Sequence, residues 1–423
     1  MARAPLRRAG ALDLVPQLDL RAEERLLTAA VLFLATYVVV ALGRLPGLRL
    51  DRTGAAVVGA AFMVALRVVT PEQAYALVDM GTLVLLFGMM VIVGHLKLAG
   101  FFRWAGVTVA KHARTPHRLL AGLITVAGVL SALFVNDTVC LALTPLVLEV
   151  TAALGVRATP FLLALATASN IDSVATLTSN PQNMLIGVAS HIPYATFFRS
   201  LLPVAIVGLA LDFLVVAAVY RRDLARPFPA PAHPRAKVHG FLMAKGLAAA
   251  VTMLGFFFAG ANISVVALTA GAALLLTRRV KPEKVFLEVN WNLLTLFAGL
   301  FVVVGAAREA GLTERIFEVL HAREAHSPGS LTALSAVLSN LVSNVPAVML
   351  FIPLVPQFPD PERAWRVLAM SSTFAGNLTL VGSIANLIVA EGARRVSPLT
   401  FREYLKVGVP VTVSTLVLGA LLL

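Results

Sequence analysis

Short polar stretches interrupt four long apolar segments of this sequence. They read VNDT at 135–138, SNPQN at 179–183, SNVP at 343–346 and GN at 376–377. Amide and hydroxyl side chains donate and accept hydrogen bonds, and serine, asparagine and proline suit the first positions of a helix. A helix that begins at such a break presents unpaired N–H groups and partial positive charge. The four stretches therefore predict a site for an anion or an oxyacid that uses no lysine or arginine.

The candidate substrate-binding residues come from these breaks and the segments beside them. They are Asn136, Thr138, Ser179, Asn180, Asn183, Asn344, Thr379 and Asn386. A single asparagine or serine in an apolar segment more simply joins two helices by a hydrogen bond. Because the polar stretches recur at matched positions in both halves of the chain, binding is the better interpretation of the set.

Two carboxylates inside apolar segments are candidates for binding a proton or another cation. Asp137 lies in the first polar stretch, and Asp172 lies in the apolar segment before the second. Acidic residues are costly in such segments and are functional candidates by default. Burial and mutual repulsion would let one of them bind and release a proton if the two face each other. The alternative is that Asp137 is a permanent anion at a helix start. Further candidates for cation coupling, including coupling to sodium, are Ser131, Ser343, Gly376 and Asn377.

Two other residues leave their roles open. Asp212 lies deep in an apolar segment without a matching motif, so function and hydrogen bonding between helices stand as equal alternatives. Cys140 is the one cysteine of the chain, which excludes an intramolecular disulfide and a cysteine-rich metal cluster. A lone buried cysteine is more often a small apolar side chain than a thiolate ligand. We predict no cofactor.

The elements that position these residues must lie in a membrane. The chain has 423 residues, of which 58% are hydrophobic and 13% charged, and its mean hydropathy is +0.86. A soluble domain has roughly 45–50% apolar and about 25% charged residues, so this composition predicts an all-α polytopic membrane protein. The net charge of +13 comes from Lys and Arg in short loops, where the positive-inside bias places them, and not from a nucleic-acid site. We predict spans at 26–43, 53–70, 80–98, 160–189, 200–220, 240–258, 262–277, 286–307, 365–390 and 404–422.

The sequence also repeats itself. Three blocks recur in the same order, with Pro71-Glu72 matching Pro282-Glu283, Asn136 matching Asn344, and Asn183 matching Asn386. If each half crosses the membrane about five times, an odd number, the second half is inverted relative to the first. Segments 118–153 and 329–355 are then re-entrant hairpins, because basic residues flank the first at both ends. Segments 160–189 and 365–390 are broken helices, and the first of them also carries the polar residues Ser169-Asn170-Ile171-Asp172.

The predicted domains follow from this repeat. They are an N-terminal segment at 1–25, a first repeat at 26–220, a cytoplasmic linker at 221–239 and a second repeat at 240–423. Basic loops alternate with neutral or acidic ones, which places the linker inside and both termini outside. We expect the protein in the plasma membrane, which in a bacterium is the inner membrane.

Four segments resemble the signature segments of the ArsB/NhaD permease family. They are FVNDTVCLALTPLVLEV, SNIDSVATLTSNPQNMLIG, LSNLVSNVPAVML and GNLTLVGSIANLIVAEGAR, and the resemblance covers roughly residues 50–420. The family includes arsenite efflux permeases and plant silicon efflux transporters, and it is related to the divalent-anion/sodium symporters. The resemblance implies an elevator-type carrier, usually dimeric, whose hairpins and broken helices form the moving domain. Dicarboxylate carriers of that superfamily have Ser-Asn-Thr at their hairpin tips, where this chain has Asn136-Asp137-Thr138 and Ser343-Asn344-Val345.

The resemblance implies a secondary active transporter that exports a small oxyacid or oxyanion of the arsenite, antimonite or silicic acid type, by proton antiport. The alternative is a sodium-coupled anion symporter of the dicarboxylate or sulfate kind, or a sodium/proton antiporter. The chain has no GxxxxGK[ST] phosphate loop, so ATP-driven export would need a separate ATPase subunit. It also lacks HExxH and GxSxG, which argues against a membrane enzyme. The expected partners are the oxyacid or anion, protons or sodium, membrane lipid and a second copy of the chain.

Overall fold

The computed structural model describes residues 22–43, 49–225, 228, 237–276, 279–313, 315, 318 and 327–423. Every regular element in these ranges is helical, as the sequence predicts. The helices before the linker are α1 Ala22–Leu42, α2 Arg52–Ala65, α3 Pro71–Leu77, α4 Met80–Leu98, α5 Phe101–His112, α6 Pro116–Leu133, α7 Asn136–Ala153, α8 Thr159–Asp172, α9 Pro181–Ser190, α10 Tyr194–Val219 and α11 Arg221–Leu224. Those after it are α12 Gly240–Phe258, α13 Ile263–Leu275, α14 Pro282–Phe286, α15 Trp291–Glu309, α16 Pro328–Val342, α17 Asn344–Phe351, α18 Pro361–Ala375, α19 Ile384–Ala393 and α20 Phe401–Leu422, with a 3-10 turn at Val355–Gln357.

Seven of the described helices are long and apolar enough to cross a membrane. They are α1, α4, α6, α10, α12, α15 and α20. Helices α2, α13, α16 and α19 are shorter but also apolar. A helix rises about 1.5 Å per residue, so the shorter helices cannot span about 30 Å of hydrocarbon unaided and must pack against or continue into others.

Helices α6 and α7 fold back on each other. Leu119, near the start of α6, and Val150, near the end of α7, line the same small cavity. A continuous helix would place these two residues about 45 Å apart, so the segment is a hairpin with its tip at Val135. Helices α16 and α17 form a second hairpin, since Pro328 at its start lines a cavity together with Phe358 beyond its end. Both hairpins of the predicted fold are present.

Two further helix pairs are joined by non-helical chain. Residues 173–180 separate α8 from α9, and residues 376–383 separate α18 from α19. Oδ1 of Asn180 caps α9 by accepting from the N–H of Asn183 at 2.8 Å. The Ser383 hydroxyl caps α19 by accepting from the N–H two residues later at 3.2 Å. These caps satisfy N–H groups that a new helix leaves without an intrahelical partner, so each break is also a helix start.

The two halves pack into each other at equivalent glycines. A Cβ on Gly88 of α4 would lie 2.5 Å from the backbone carbon of Ala267 in α13, and one on Gly299 of α15 would lie 2.7 Å from that of Ala56 in α2. The sequence repeat makes the two glycines equivalent, and likewise the two alanines. Small residues let membrane helices approach closely and gain packing. The same contact is therefore formed twice, each time between one half of the chain and the other.

Parts of the predicted domain boundaries lie outside the described residues. These parts are residues 1–21 of the N-terminal segment and most of the linker at 221–239. The division into repeats at 26–220 and 240–423 stays a prediction.

Candidate functional site

Side chains in and next to the first break, residues 173–180, bond to the backbone carbonyls of the break. The amide of Asn183 donates from Nδ2 to the carbonyls of Ser173 and Thr176, each at 3.0 Å. The Ser179 hydroxyl reaches the same two carbonyls, and Asn180 donates to the carbonyl of Ser173 at 3.0 Å. Residues 173–180 are all buried. Because buried carbonyls outside a helix need donors, these side chains satisfy the backbone where the helix stops.

The second break uses the equivalent asparagine. Nδ2 of Asn386 donates to the carbonyl of Gly376 at 2.8 Å and to that of Thr379 at 3.1 Å. The Thr379 hydroxyl donates to Oδ1 of Asn340 at 3.4 Å. Residues 378–381 are half-buried or exposed, in contrast to the first break. The two breaks are therefore built alike, but only the second reaches the surface.

Asn170, near the end of α8, joins both breaks to the first hairpin tip. Its Oδ1 accepts from Asn136 Nδ2 at 3.1 Å and from the Ser383 hydroxyl at 3.0 Å. Its Nδ2 donates to Oδ1 of Asn377 at 2.8 Å and to Oδ1 of Asn386 at 3.0 Å. Four partners exhaust the hydrogen-bonding capacity of one amide side chain. We call these five residues the polar cluster, and all five are buried.

A comparison of equivalent positions in the two halves does not identify Asn170 as a site residue. Its counterpart in the second half is Thr373, whose hydroxyl accepts from Gln182 Nε2 at 3.3 Å. The signal that does point to Asn170 is its place in an apolar segment, two residues before Asp172. The residue at the centre of the site is therefore one that the repeat does not duplicate.

Each hairpin tip contributes one asparagine. Asn136 begins α7, and its N–H donates to the carbonyl of Ser179 at 3.0 Å, which ties the first tip to the first break. Asn344 begins α17 next to the second break, where a Cβ on Gly376 would lie 2.9 Å from its Nδ2. Each tip thus packs against the break of its own half. Two hairpin helices and the two helices that follow the breaks all begin in this region.

The backbone differs between the two tips. Ser343 has φ +77° and ψ 156°, whereas the equivalent Val135 has φ −63° and ψ 117°. A non-glycine residue in the former region is strained by about 1–3 kcal/mol. Such strain is typical of functional sites and switch regions. Thr138 is half-buried in the first turn of α7, and its side chain bonds to no described residue.

Four buried oxygen atoms at the site have no hydrogen-bond partner among the described residues. Two are the hydroxyls of Ser131 on α6 and Ser339 on α16, which are equivalent positions in the first helix of each hairpin. The other two are Oδ1 of Asn183 and Oδ1 of Asn344. Buried polar atoms are normally satisfied, so this set points to places for a ligand, an ion or water.

The expectation that Asp137 and Asp172 face each other stays a prediction. Asp172 is buried at the end of α8, with Oδ2 3.0 Å from the place of a Cβ on Gly128. Asp137 is half-buried at the start of α7.

Cys140 is buried with its Sγ 3.0 Å from the Ser169 hydroxyl. Within the described ranges no group of three His, Cys, Asp or Glu side chains is arranged to hold a metal ion. The chemistry available at the site is therefore that of amides, hydroxyls, helix N-termini and isolated carboxyl groups.

The chain matches the family model described as CitMHS: Citrate transporter over residues 37–365. It is 33% identical to the silicon efflux transporter LSI3 of Oryza sativa subsp. japonica, over 89% of this chain and 92% of that protein. An uncharacterized transporter of Mycobacterium tuberculosis is 30% identical, over 93% of this chain and 97% of that protein. The fold is similar to the crystal structure of the Alcanivorax borkumensis YdaH transporter, described as having an unusual topology. That match has a TM-score of 0.62 at 16% identity and covers 95% of this chain and 97% of the other.

Proposed function

This chain belongs to the CitMHS citrate transporter family, and we propose that within this family it is a proton-coupled exporter of a small oxyacid. The family and the relatives are transporters, so the protein is a multi-pass plasma-membrane transporter and not an enzyme. The proposed cargo is a weakly acidic species of the silicic acid, arsenite or antimonite type. The observation that carries this proposal is the polar cluster around Asn170.

The composition of the polar cluster supports a small, hydroxyl-rich cargo. Around it, the hydroxyls of Ser131 and Ser339 and the Oδ1 atoms of Asn183 and Asn344 have no partner among the described residues, so they can exchange hydrogen bonds with an oxyacid. The N-termini of α7, α9, α17 and α19 add partial positive charge. A citrate trianion would bring several charges into a buried site whose side chains supply no cation, which is costly. The similarity to a protein named as a silicon efflux transporter supports the same class of cargo.

The acids near the first break support coupling to protons. Asp137 and Asp172 lie on the helices that carry Asn136 and Asn170. A bare carboxylate inside a membrane domain is costly, whereas a protonated carboxyl group is not. If only the protonated or the substrate-loaded carrier crosses readily, inward proton movement drives outward substrate movement.

A second candidate function is a sodium-coupled anion symporter. The observation that favours it is the pair of unpartnered hydroxyls of Ser131 and Ser339, which sit at equivalent places beside Asn136 and Asn344. Hard cations prefer oxygen ligands, so each hairpin could hold one sodium ion. Replacement of sodium by choline separates the two candidates, because a symporter stops and a proton antiporter continues.

The elevator movement and the assembly belong to the same proposal. Helix α7 packs on α19 and α17 packs on α9, so the hairpin of each half is joined to the broken helix of the other. Helices α2, α4, α13 and α15 pair separately through their glycines. This division supports one moving body and one fixed body. We further propose a homodimer, with an ATPase subunit as an optional partner. The mass of the purified protein in detergent shows whether it is a dimer.

A solute panel in proteoliposomes tests the proposed cargo. Vesicles carrying an imposed proton gradient would be offered silicic acid, arsenite, antimonite, citrate and sulfate, with empty vesicles as the control. We expect saturable movement of at least one of the first three, driven by the proton gradient. Movement of citrate or sulfate alone, and only with sodium present, would refute the proposal in favour of the symporter.

A further inference from the structure

Asp212 is a buried acid that the proposed transport site does not use. It lies on α10 with none of its surface exposed. Its Oδ1 is 2.7 Å from the Thr167 hydroxyl, and its Oδ2 has no hydrogen-bond partner in the described part of the chain. A buried carboxyl group with one bare oxygen is costly, and acids inside membrane segments are functional candidates by default.

The Thr167 hydroxyl has one proton and three acceptors within reach, of which the carbonyl of Ala164 at 3.5 Å is the most distant. Besides Oδ1 of Asp212, the carbonyl of Leu163 lies 2.9 Å away. When Asp212 is ionised, the hydroxyl donates to the carboxylate. When Asp212 is protonated, its carboxyl group donates to Thr167 Oγ1, and the threonine proton turns to Leu163. The geometry therefore accommodates both protonation states without leaving a polar hydrogen unused.

Thr167 also connects Asp212 to the polar cluster. The carbonyl of Thr167 accepts from Asn377 Nδ2 at 3.2 Å. Oδ1 of Asn377 in turn accepts from Asn170 Nδ2 at 2.8 Å. Thr167 and Asn170 share the last turns of α8. A contiguous set of hydrogen bonds therefore links Asp212, through Thr167 and Asn377, to Asn170.

Few ionisable groups face Asp212. Tyr404 is buried on α20, which packs against α10, and its hydroxyl has no partner among the described residues. The charged residues flanking Tyr404 are exposed or half-buried. The other ionisable groups on the helices against α10 are His117, Arg118, Asp172, Arg221, Arg222, Asp223, Lys245, Glu362, Arg363 and Arg366. Since none of these cations pairs with Asp212 in the described ranges, a proton is what neutralises it.

We propose that Asp212 is a proton-binding site of this transporter, linked to the polar cluster through Thr167 and Asn377. The inference rests on the proposed proton coupling and adds a residue to it. The carboxylate takes up H⁺ from water on one side of the membrane and returns H⁺ to water on the other, with no other bond made or broken. The neutral form crosses readily, because the ionised form would carry an unpaired charge through the membrane domain.

Infrared difference spectroscopy on the purified protein in lipid tests the proton site directly. We expect a carboxyl C=O band that disappears as the pH rises and that is absent from Asp212→Asn. Thr167→Val removes the donor to the ionised carboxylate, so the pH midpoint of the band should rise by about 1–2 units. Thr151→Val is the matched control, because Thr151 is buried and bonds only to its own helix backbone. A band that survives Asp212→Asn, or a midpoint that Thr167→Val leaves in place, would overturn the proposal.

Transport in proteoliposomes, with silicic acid and arsenite as the probes, separates this inference from the proposed function. Asp212→Asn should lose most of the substrate-driven proton flux while substrate exchange continues. Wild-type vesicles without proton flux would refute the proposed function, and the infrared titration would still decide whether Asp212 binds a proton. Proton flux in Asp212→Asn equal to that of the wild type would refute the role of Asp212 and leave the proposed function standing.

Discussion

The side-chain amides of Asn183 and Asn386 hold equivalent pairs of backbone carbonyls in the two halves of the chain. Each donates from Nδ2 to the carbonyls ten and seven positions earlier, at 3.0 and 3.0 Å in the first half and at 2.8 and 3.1 Å in the second. The repeat is thus preserved down to single hydrogen bonds. In both halves these hydrogen bonds satisfy the backbone carbonyls that the interrupted helix leaves without intrahelical partners.

Removing these amides should affect the two halves unequally. In the first half Ser179 and Asn180 also donate to the carbonyl of Ser173, so Asn183→Ala should cost about 1 kcal/mol. Asn386→Ala leaves the Gly376 carbonyl without its side-chain donor and should cost about 2–3 kcal/mol. Denaturant unfolding in detergent measures both. Gln357→Ala, which removes an exposed amide, is the control. Equal losses in the two variants would contradict this account of the breaks.

Substitutions in the hairpin tips and at the cluster centre should impair transport without preventing membrane insertion. Asn136→Ala and Asn344→Ala remove one amide at each tip, and Asn170→Ala removes four hydrogen bonds at once. We expect the strongest loss of transport in Asn170→Ala, because the four buried residues that bond to Asn170 would each lose a hydrogen-bond partner. Initial rates of substrate exchange, normalised to the amount of inserted protein, provide the measurement. Unchanged kinetics in both tip variants would refute the assignment of the tips to the site.

Neutralising the acids near the first break should separate proton coupling from substrate movement. Asp137→Asn and Asp172→Asn each mimic a protonated carboxyl group permanently. At least one should lose proton-driven export while exchange across the membrane survives, because the carrier can no longer cycle its charge. Substrate-driven proton flux and exchange would be compared in the same vesicles, with the exposed Glu391→Gln as control. Intact proton-coupled export in both variants would place the driving ion elsewhere.

Glycine at the equivalent positions Ser343 and Val135 should change the thermal midpoint in opposite directions. Ser343→Gly relieves about 1–3 kcal/mol of backbone strain, less about 0.5–1 kcal/mol for the greater freedom of the unfolded chain, and should raise the thermal midpoint. Val135→Gly relieves nothing, because its φ is −63°, and it also removes a buried side chain, so that midpoint should fall. Thermal unfolding of the two variants, followed by near-ultraviolet circular dichroism, checks both directions. A lower midpoint for Ser343→Gly would contradict the strain.

The sequence was sufficient to predict the hairpins and the broken helices. Polar residues in the middle of apolar segments, paired basic flanks and the matched Asn136 and Asn344 carry that information locally. Both hairpins and both breaks then appear in the structure within a few residues of the predicted positions. The prediction succeeds because these features are set by solvation of the backbone and not by long-range packing.

The centre of the site could not be predicted in the same way. Asn170 has Thr373 as its counterpart, so a search for matched residues passes over it. The sequence also places Asp137 and Asp172 on neighbouring helices without fixing the direction in which each side chain points. The complete burial of Asp212 depends on how α10 packs against α8 and α20. Such contacts between distant parts of the chain need the three-dimensional structure.

Substrate-driven proton flux in sodium-free vesicles decides whether this protein is a proton-coupled exporter. Proteoliposomes would be loaded with silicic acid or arsenite, diluted into medium with choline in place of sodium, and followed with a pH-sensitive dye inside. We expect outward substrate movement to drive protons inward, and Asn170→Ala to abolish both movements together. Substrate efflux with no proton movement, or efflux that requires sodium, would contradict this expectation.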